Sequence, residues 1–570
     1  MMKDKKLLTI GLIVLLAVSA TMFGGWIAGQ TKTEKPDYYF QIEKNMALFG
    51  RIYEEVTKRY VEVIDPEKFM RAGIDGMLRT LDPYTMYIEH EGETNFDLKL
   101  LTTGKYGGVG MRIAKRDGWP TVVEPPFEGT PSARAGIREG DKIIEINGET
   151  TKDFTISETA QRLRGKIGTE VNIKIRRYGM EKPLEFRLIR AEINVSDIAY
   201  AGLIDDEIGY IRLSQFTRKA GGELQDSIVS MKKQGMKGLI LDLRGNPGGL
   251  LESAVQVAEC FVPKNNLIVS KHGRLSSSDK EYYSRVDPVW PDEPLVVLVD
   301  GFSASASEIV AGAIQDLDRG VIIGRPTFGK GLVQTVIPVD RNGSSLKITS
   351  EKYYLPSGRL IQKPGFIRSK NVLWGYDKSK KDTTKKEEKI YYTSAKREVK
   401  GGGGIKPDIE IKGEKMTPLV GNLIMKSMFF NFALDYASKH EALGRDFAVN
   451  DQIISDFKTF LKEKDFTYKT SAEELIEDLK KAIDQDELSE QVKGKVEALE
   501  EAIILEKKDD FKKNLPVIKR YLRQEISAKL WGTKGKYESV FHDDRVIKKA
   551  VETLKNHDEY FSLLKPNDAN

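Results

Sequence analysis

LVVLVDGFSASASEI, residues 295–309, combines a strand signal and a helix signal in one stretch. The apolar run Leu295–Val299 is typical of a strand, and the small residues after it permit a tight turn into a helix predicted over Ile309–Leu317. Similar apolar runs at Ile208–Leu213 and Gly238–Leu243 alternate with helical stretches. This alternation predicts an α/β domain.

A serine hydroxyl at such a strand-to-helix junction is exposed and lies in the positive field of the helix N-terminus. Such a hydroxyl could act as a nucleophile. The residues from Ser305 to Glu308 also match a capping box, in which the serine only satisfies a backbone N–H. This stretch alone favours the capping role.

A second short motif, GRPTFGKG at residues 324–331, raises the possibility of a phosphate-binding loop. Such a loop needs Ser or Thr after the lysine and a helix that follows it. Position 331 is Gly, and Leu332–Pro338 has the residue types of a strand, so we expect no nucleotide. Lys330 can instead act as a base if a dry pocket lowers its pKa from about 10.4 by about 3 units. The neighbours Phe328, Gly329 and Gly331 suit such a pocket.

Upstream, the glycine-rich stretch KYGGVGMRI at residues 105–113 precedes AGIREGDKIIEING at residues 135–148. This order resembles a PDZ domain. The resemblance implies that backbone N–H groups of the loop hold the carboxylate of a peptide C-terminus while a strand pairs with the peptide. The expected peptide-binding loop consists of Tyr106, Gly107, Gly108, Val109 and Gly110.

Taken together, the motifs resemble the C-terminal processing peptidases, also called tail-specific proteases. The similarity covers roughly residues 70–412 and includes LDLRGNPGG at 241–249, then GFSASASEI, then TFGKG. It implies an α+β and α/β multidomain protein, with a PDZ domain inserted before an α/β serine-protease core and with helical N-terminal and C-terminal regions. A lysine-rich insertion and a long C-terminal extension depart from the family pattern.

The resemblance also implies roles for individual residues. Ser305 corresponds to the nucleophile, Lys330 to the general base and Gln334 to the residue that positions the lysine. In a strand, positions i and i+4 share a face, which would let the Gln334 amide orient the amine. The oxyanion donors would be the N–H groups of Ala306 and Gly249.

Two further expectations concern ligands of this site. Arg164 matches an arginine with which some relatives relay substrate binding. The five histidines lie outside the motifs, and the sequence offers neither a cysteine and histidine cluster nor an HExxH motif. We therefore expect no metal and no cofactor.

Composition limits the function classes. A chain of 570 residues implies three or four domains. Its 90 basic and 85 acidic side chains leave a net charge of only +5, which argues against nucleic acid as a partner. The single cysteine, Cys260, has no disulfide partner and is expected in the core.

The N-terminus predicts a membrane segment. Lys3, Lys5 and Lys6 precede an uncharged stretch, residues 7–29, that is long enough to cross a bilayer with its start in the cytoplasm. Val18–Ala20 resembles a signal-peptidase site, so export after cleavage is the alternative to a retained anchor. In both cases the rest of the chain is expected outside the cytoplasm, on the periplasmic side.

The expected function is a serine endopeptidase that recognises the C-terminal tails of unfolded or tailed proteins through its PDZ domain. The alternative is a catalytically silent PDZ scaffold, and a homo-oligomer or an adaptor protein stays open. The predicted divisions are an anchor or signal segment (1–36), an N-terminal helical region (37–93), the PDZ domain (94–183), the protease core (184–415, with a solvated lysine-rich loop at 378–400) and a C-terminal helical domain (416–570).

Overall fold

The structure, a computed structural model, describes residues 36–90, 92–364, 389–414 and 416–566. The predicted anchor at residues 7–29 lies outside these ranges. Within them, none of the helices combines the length and the apolar character that crossing a membrane requires. The chain divides into one unit that ends at Leu81 and a second that begins at Asp82.

The first unit is helical, as predicted. Its helices are α1 (Pro36–Arg59) and α2 (Pro66–Leu78). Asp65 caps α2 because its carboxylate accepts hydrogen bonds from the N–H groups of Glu67 and Lys68 at 3.0 and 3.2 Å. Pro66 at the first helical position fits the same start.

The PDZ sheet runs in the order β3-β4-β5-β7-β8, with β6 paired to β5, and its core contains Val122, Ile143 and Val171. Strand β3 lies at the edge of this sheet, beside helix α5. The elements are α3 (Glu93–Thr103), β2 (Lys105–Gly108), β3 (Ile113–Arg116), β4 (Trp119–Val122), α4 (Pro131–Arg134), β5 (Lys142–Ile146), β6 (Glu149–Thr150), α5 (Ile156–Leu163), β7 (Glu170–Arg176), β8 (Leu184–Ile189) and β9 (Ala191–Asn194).

The predicted PDZ boundary at residue 183 needs correction. Strand β8 lies beyond it and pairs with β7 along its length, from Leu184 opposite Ile175 to Ile189 opposite Glu170. Strand β9 then returns to pair with β2. The PDZ fold therefore continues to about residue 194.

The protease core is built on a sheet in the order β10-β11-β12-β15-β16-β21. Strands β10 and β11 are antiparallel, and the pairs from β11 onward are parallel. The elements are β10 (Ile198–Ile204), β11 (Ile208–Leu213), α6 (Ala220–Lys233), β12 (Gly238–Asp242), α7 (Leu251–Glu259), β13 (Leu267–Gly273), β14 (Lys280–Tyr283), β15 (Leu295–Val299), α8 (Ala306–Asp316), β16 (Val321–Gly324), β17 (Leu332–Pro338), β18 (Ser345–Tyr354), β19 (Ile390–Tyr392), β20 (Glu398–Lys400) and β21 (Ile409–Glu410).

A second sheet of the core runs in the order β1-β18-β13-β14, with β17 paired to β18, and β1 comprises Met86–Ile88. This strand lies within the predicted N-terminal helical region (37–93), which is therefore not helical throughout. Met86 pairs opposite Lys347, so the segment after Asp82 completes a sheet of the protease core.

The lysine-rich stretch also differs from its prediction as a solvated loop. Its last part forms the hairpin β19–β20, in which Val399 is buried. Arg397 binds Asp318 and donates to Asp408 at 2.8 Å. The hairpin is ordered because it supplies apolar and paired side chains that composition alone did not reveal.

The C-terminal helices pack against the second face of the core sheet. Alternate residues of the core strands, such as Ile240 and Val296, point away from α6, α7 and α8 and pack against Ile547, Leu554 and Tyr560. The helices are α9 (Pro418–Met425), α10 (Met428–Lys439), α11 (Asp451–Glu463), α12 (Ser471–Gln485), α13 (Glu490–Lys507), α14 (Asp510–Lys513), α15 (Leu515–Glu538), α16 (Arg545–Lys555) and α17 (His557–Leu563).

The C-terminal helices also contact the PDZ domain. Tyr178 donates a hydrogen bond to Asp435 at 2.7 Å. Lys529 pairs with Glu139 and lies 3.9 Å from the ring centroid of Phe430. The Lys529 side chain is 4% exposed and the Glu139 side chain 10%, so this is a buried ion pair between the two domains.

Candidate active site

Three serines alternate along the turn between β15 and α8, but only one is accessible. Ser303 is buried and donates to the carbonyl of Leu243 at 2.9 Å, while the Ser307 hydroxyl donates to the carbonyl of Asn246 at 2.9 Å. Ser305 is half-buried and has a φ of +54°, a backbone conformation that is uncommon outside glycine. The strained turn thus presents the middle hydroxyl.

The glycine loop after β12 closes against this turn. A side-chain carbon at Gly248 would lie 2.9 Å from the Ala306 nitrogen and 3.0 Å from Ser305 Cβ, so only glycine fits there. The N–H of Gly248 donates to the Asn246 side chain at 2.9 Å. Among the described residues, no hydrogen bond engages the N–H groups of Gly249 or Ala306.

Lys330 lies in a largely buried position before β17. Its Nζ is 4.4 Å from the ring centroid of Tyr84, in the segment between Asp82 and β1. Burial lowers the pKa of Lys330 from 10.5 to about 8. The positive charge of Lys347 lowers this pKa further, whereas the carboxylates of Glu308 and Asp82 oppose the shift.

Glu308 connects the serine turn to the lysine loop. This fully buried carboxylate accepts hydrogen bonds from the backbone N–H groups of Ser305 (2.9 Å), Gly329 (2.6 Å) and Lys330 (2.9 Å), and from the Thr327 hydroxyl (2.5 Å). Burial raises the pKa of Glu308, and these four donors oppose that rise. One side chain thereby fixes the two backbone segments to each other.

The side chains of Ser305 and Lys330 are not hydrogen-bonded to each other. The hydrogen bonds of the described residues include none between Ser305 Oγ and Lys330 Nζ. In enzymes without substrate, hydrogen bonds between reacting groups are often long or poorly aligned. The absence of this contact therefore does not exclude a reaction between the two groups.

Gln334 lies on β17 and donates from its amide to the Thr349 hydroxyl at 3.4 Å. The predicted strand has the bounds Leu332–Pro338, so Lys330 precedes it, and the pairing with β18 is irregular between Val333 and Gln334. The same-face argument for residues i and i+4 therefore does not apply. The role of Gln334 stays a prediction.

The last two residues of the predicted carboxylate loop, Val109 and Gly110, follow β2. Val109 and Gly110 are buried, and their carbonyls accept from Ser132 at 2.9 Å and from Phe127 at 3.0 Å. In the described part of the chain no hydrogen bond engages the N–H of Val109 or Gly110. Gly110 has a φ of +82° and approaches Thr130 so closely that a side chain would clash.

The other members of the loop have structural partners. Tyr106, Gly107 and Gly108 belong to β2, which pairs with β9. Gly107 accepts a hydrogen bond from Gly165 at 3.1 Å. Arg164 immediately precedes Gly165 and places its guanidinium 3.5 Å from the ring centroid of Phe96 in α3. Arg164 therefore lies against α3, and its relay role stays a prediction.

Several residues of this site escaped the sequence analysis. Glu308 was assigned only to a capping box with Ser305, and Asp82 and Tyr84 lay within the predicted helical region 37–93. Lys347 carried no signal. One signal for Glu308 was available. It is a charged residue among the small and apolar residues at the start of α8, which indicates a buried side chain with a specific partner.

Comparisons with known proteins agree with this arrangement. The family description "Peptidase family S41" matches residues 207–372, and "PDZ domain" matches residues 122–177. "Probable PDZ-protease, C-terminal helical domain" matches residues 419–554, and "Activating protease CtpB N-terminal domain" matches residues 26–92. The carboxy-terminal-processing protease of Bartonella bacilliformis is 40% identical over 323 residues, which are 56% of this chain and 73% of that protein.

This chain belongs to the carboxy-terminal processing proteases. A second member, the carboxy-terminal processing protease CtpA of Bacillus subtilis, is 34% identical over 64% of this chain and 76% of its own. The chain is thus a serine peptidase with a PDZ domain, and the predicted family and fold class are confirmed.

A solved structure of the photosystem II D1 C-terminal processing protease is 24% identical to the processing protease described here. It covers 64% of this chain and 92% of its own, with a TM-score of 0.33. The family assignment rests on the sequence matches and not on this superposition.

Proposed function

We propose that this protease cleaves protein substrates with Ser305 as nucleophile and Lys330 as general base. The observation that carries the proposal is that Ser305 alone among the three turn serines is accessible, while Glu308 ties its backbone to that of Lys330. A serine hydroxyl is a weak nucleophile until a neighbouring base takes its proton. An amine with a pKa of about 8 is partly neutral near physiological pH and suits this task.

The N–H groups of Ala306 and Gly249 form the proposed oxyanion hole. Both lie beside the Ser305 turn, and Gly248 is unsuited because its N–H already donates to Asn246. Donors that are fixed before the reaction stabilise the negative charge of the tetrahedral intermediate without reorganisation. Gln334 is proposed to hold the amine once Lys330 turns toward Ser305.

Substrate tails bind in the PDZ domain under this proposal. The edge strand β3 offers unpaired backbone groups to an extended peptide, and α5 forms the opposite wall. The N–H groups of Val109 and Gly110 at the start of this groove would hold the free carboxylate. Arg164, stacked on Phe96, would report occupancy to the core.

The reaction is proposed to take place outside the cytoplasm, on the periplasmic side. The support is the uncharged stretch at residues 7–29 preceded by lysines, which predicts either a retained anchor or an export signal. Protease accessibility of the chain in intact spheroplasts tests this placement. If the chain in intact spheroplasts is protected from added protease, this placement is contradicted.

The proteolytic role is tested by incubating the purified protein with an unfolded protein that ends in apolar residues. We expect cleavage by the wild type and by the exposed-serine control Ser277→Ala, and none by Ser305→Ala, as followed by mass spectrometry. Ser305→Ala should still bind the tail. Binding without cleavage by the wild type would instead support the silent scaffold, and cleavage by Ser305→Ala would remove the nucleophile assignment.

A further inference from the structure

A cavity of about 560 Å³ lies between the protease core and the C-terminal helices. Its floor is formed at the carboxyl ends of β11, β12, β15 and β16, and its roof by α15 and the start of α16. Crevices at this edge of an open α/β sheet are common sites of ligand binding. The volume is that of a small-molecule site and too small for a folded partner.

Positive charge dominates the wall. The basic side chains that line the cavity are Arg212, Arg244, Arg325, Lys412, Arg520, Lys536 and Arg545. The facing carboxylates are Asp300, Glu414 and Asp544 in the wall, Asp242 behind it and Glu124 beside Lys536. Because Glu124 also pairs with Arg112 at 3.3 Å, the basic groups exceed the acidic groups around the cavity.

Most of these cations have structural partners. Arg244 binds Asp242 and donates to Asp544 at 2.8 Å, and Arg520 binds Glu414. Arg212 pairs with Asp242 at 2.8 Å. These contacts hold the donors rigidly and leave part of the Arg212 guanidinium facing the cavity.

Two cations on the rim have no such partner. In the part of the chain that the structure describes, no carboxylate lies within 4 Å of Arg325 or Lys412. Arg325 follows β16, and Lys412 follows β21, the strand that pairs with β16. Both side chains are exposed and so add positive charge to the rim of the cavity.

We infer that this cavity is a binding site for a small dianion of the phosphate monoester or dicarboxylate class. An arginine fork binds planar or tetrahedral oxyanions through paired N–H donors, and a lysine adds a point charge. Tyr521 and Tyr537 in the wall supply apolar surface for an organic part of the ligand. The excess of positive charge in the wall suits an anionic ligand.

The loop after β12 connects this cavity with the protease site. Arg244 directly precedes Gly245, whose N–H donates to Asp300 at 2.9 Å, and the loop continues to Gly249. Asp300 also accepts from the N–H groups of Phe302 and Ser303 at 3.0 and 3.1 Å. A bound dianion therefore stabilises both the docking of the C-terminal helices and the loops around the serine turn.

The test is isothermal titration of the full chain with phenyl phosphate, inorganic phosphate and succinate at constant ionic strength, with sodium chloride as the reference. We expect saturable binding of at least one dianion and a rise in melting temperature. Phenyl phosphate tighter than succinate would identify the phosphate ester class, and the reverse order the dicarboxylate class. This readout is independent of proteolysis.

The double variant Arg325→Gln/Lys412→Gln should weaken binding at least tenfold, whereas the matched surface variant Lys233→Gln/Lys264→Gln should bind as the wild type does. All four side chains are exposed, so folding is preserved. If the double variant nevertheless unfolds, the affinity of the single variant Lys412→Gln is compared with that of the wild type instead. Absence of saturable binding, or equal affinity in both double variants, would overturn the inference.

Discussion

The pH dependence of proteolysis provides the sharpest test of the proposed base. Burial lowers the pKa of Lys330 from 10.5 to about 8, a shift of about 2.5 units or roughly 3 kcal/mol in favour of the neutral amine. At pH 7 an amine with a pKa of 8 is neutral in roughly one molecule in ten, against about one in three thousand for an unperturbed lysine. The pocket thus increases the fraction of competent enzyme by roughly 300-fold.

Because the neutral amine is the active form, kcat/KM should rise with pH, with an apparent pKa near 8, and reach a plateau above it. Initial rates on a fluorogenic peptide between about pH 6 and pH 10 measure this profile. Lys330→Arg should lose activity by a factor of about 100 to 10,000, since a guanidinium stays protonated. The exposed Lys352→Arg is the matched control.

Two outcomes would refute this reasoning. A flat profile across the range would mean that no group with the pKa of Lys330 limits the reaction. Substantial activity of Lys330→Arg at neutral pH would exclude an amine base altogether. Loss of activity equally in Lys352→Arg would point to a general effect of the substitution on the second sheet.

Three further predictions follow from contacts around the site and the domains. Lys347→Gln should raise the pKa of Lys330 by removing a nearby positive charge and so displace the kcat/KM profile to higher pH; an unchanged profile would contradict the coupling. Amidation of a substrate's C-terminus should weaken its binding to the PDZ domain, measured by fluorescence polarisation, and equal binding would exclude a carboxylate site. Lys529→Met should lower the free energy of unfolding, measured by urea titration, by about 3–5 kcal/mol because Glu139 is left buried and unpaired. The matched variant Lys534→Met, at an exposed lysine, should change this free energy by less than about 0.5 kcal/mol.

Local patterns in the sequence predicted much of the fold. Strand β17 has the bounds that the β-branched run Leu332–Pro338 indicated, and α8 ends at Asp316, within one residue of the predicted Leu317. Both elements follow from the residue types and the periodicity of short segments. Signals of this kind lie within a few residues of the element that they define.

Long-range contacts could not be predicted in this way. The Tyr560 hydroxyl donates to the Leu295 carbonyl at 3.2 Å across 265 residues of sequence, and Leu295 in turn donates its N–H to that hydroxyl's oxygen at 2.9 Å. No local pattern indicates that α17 lies on this strand. The C-terminal sequence therefore predicted a helical domain but not that this domain covers one face of the core sheet.

The same limit applies to Glu308, and its position explains which part of the site must move. Its carboxylate binds the backbone of both Ser305 and Lys330, so the distance between the two main chains is fixed by the folded core. The Lys330 side chain, in contrast, contacts Tyr84 through its amine and has no hydrogen bond there among the described residues. Under the proposed mechanism, the step from the resting to the competent site is therefore a change of lysine side-chain torsions within a rigid frame. Exchange of the Tyr84 contact for one with Gln334 and Ser305 requires no rupture of the four hydrogen bonds to Glu308.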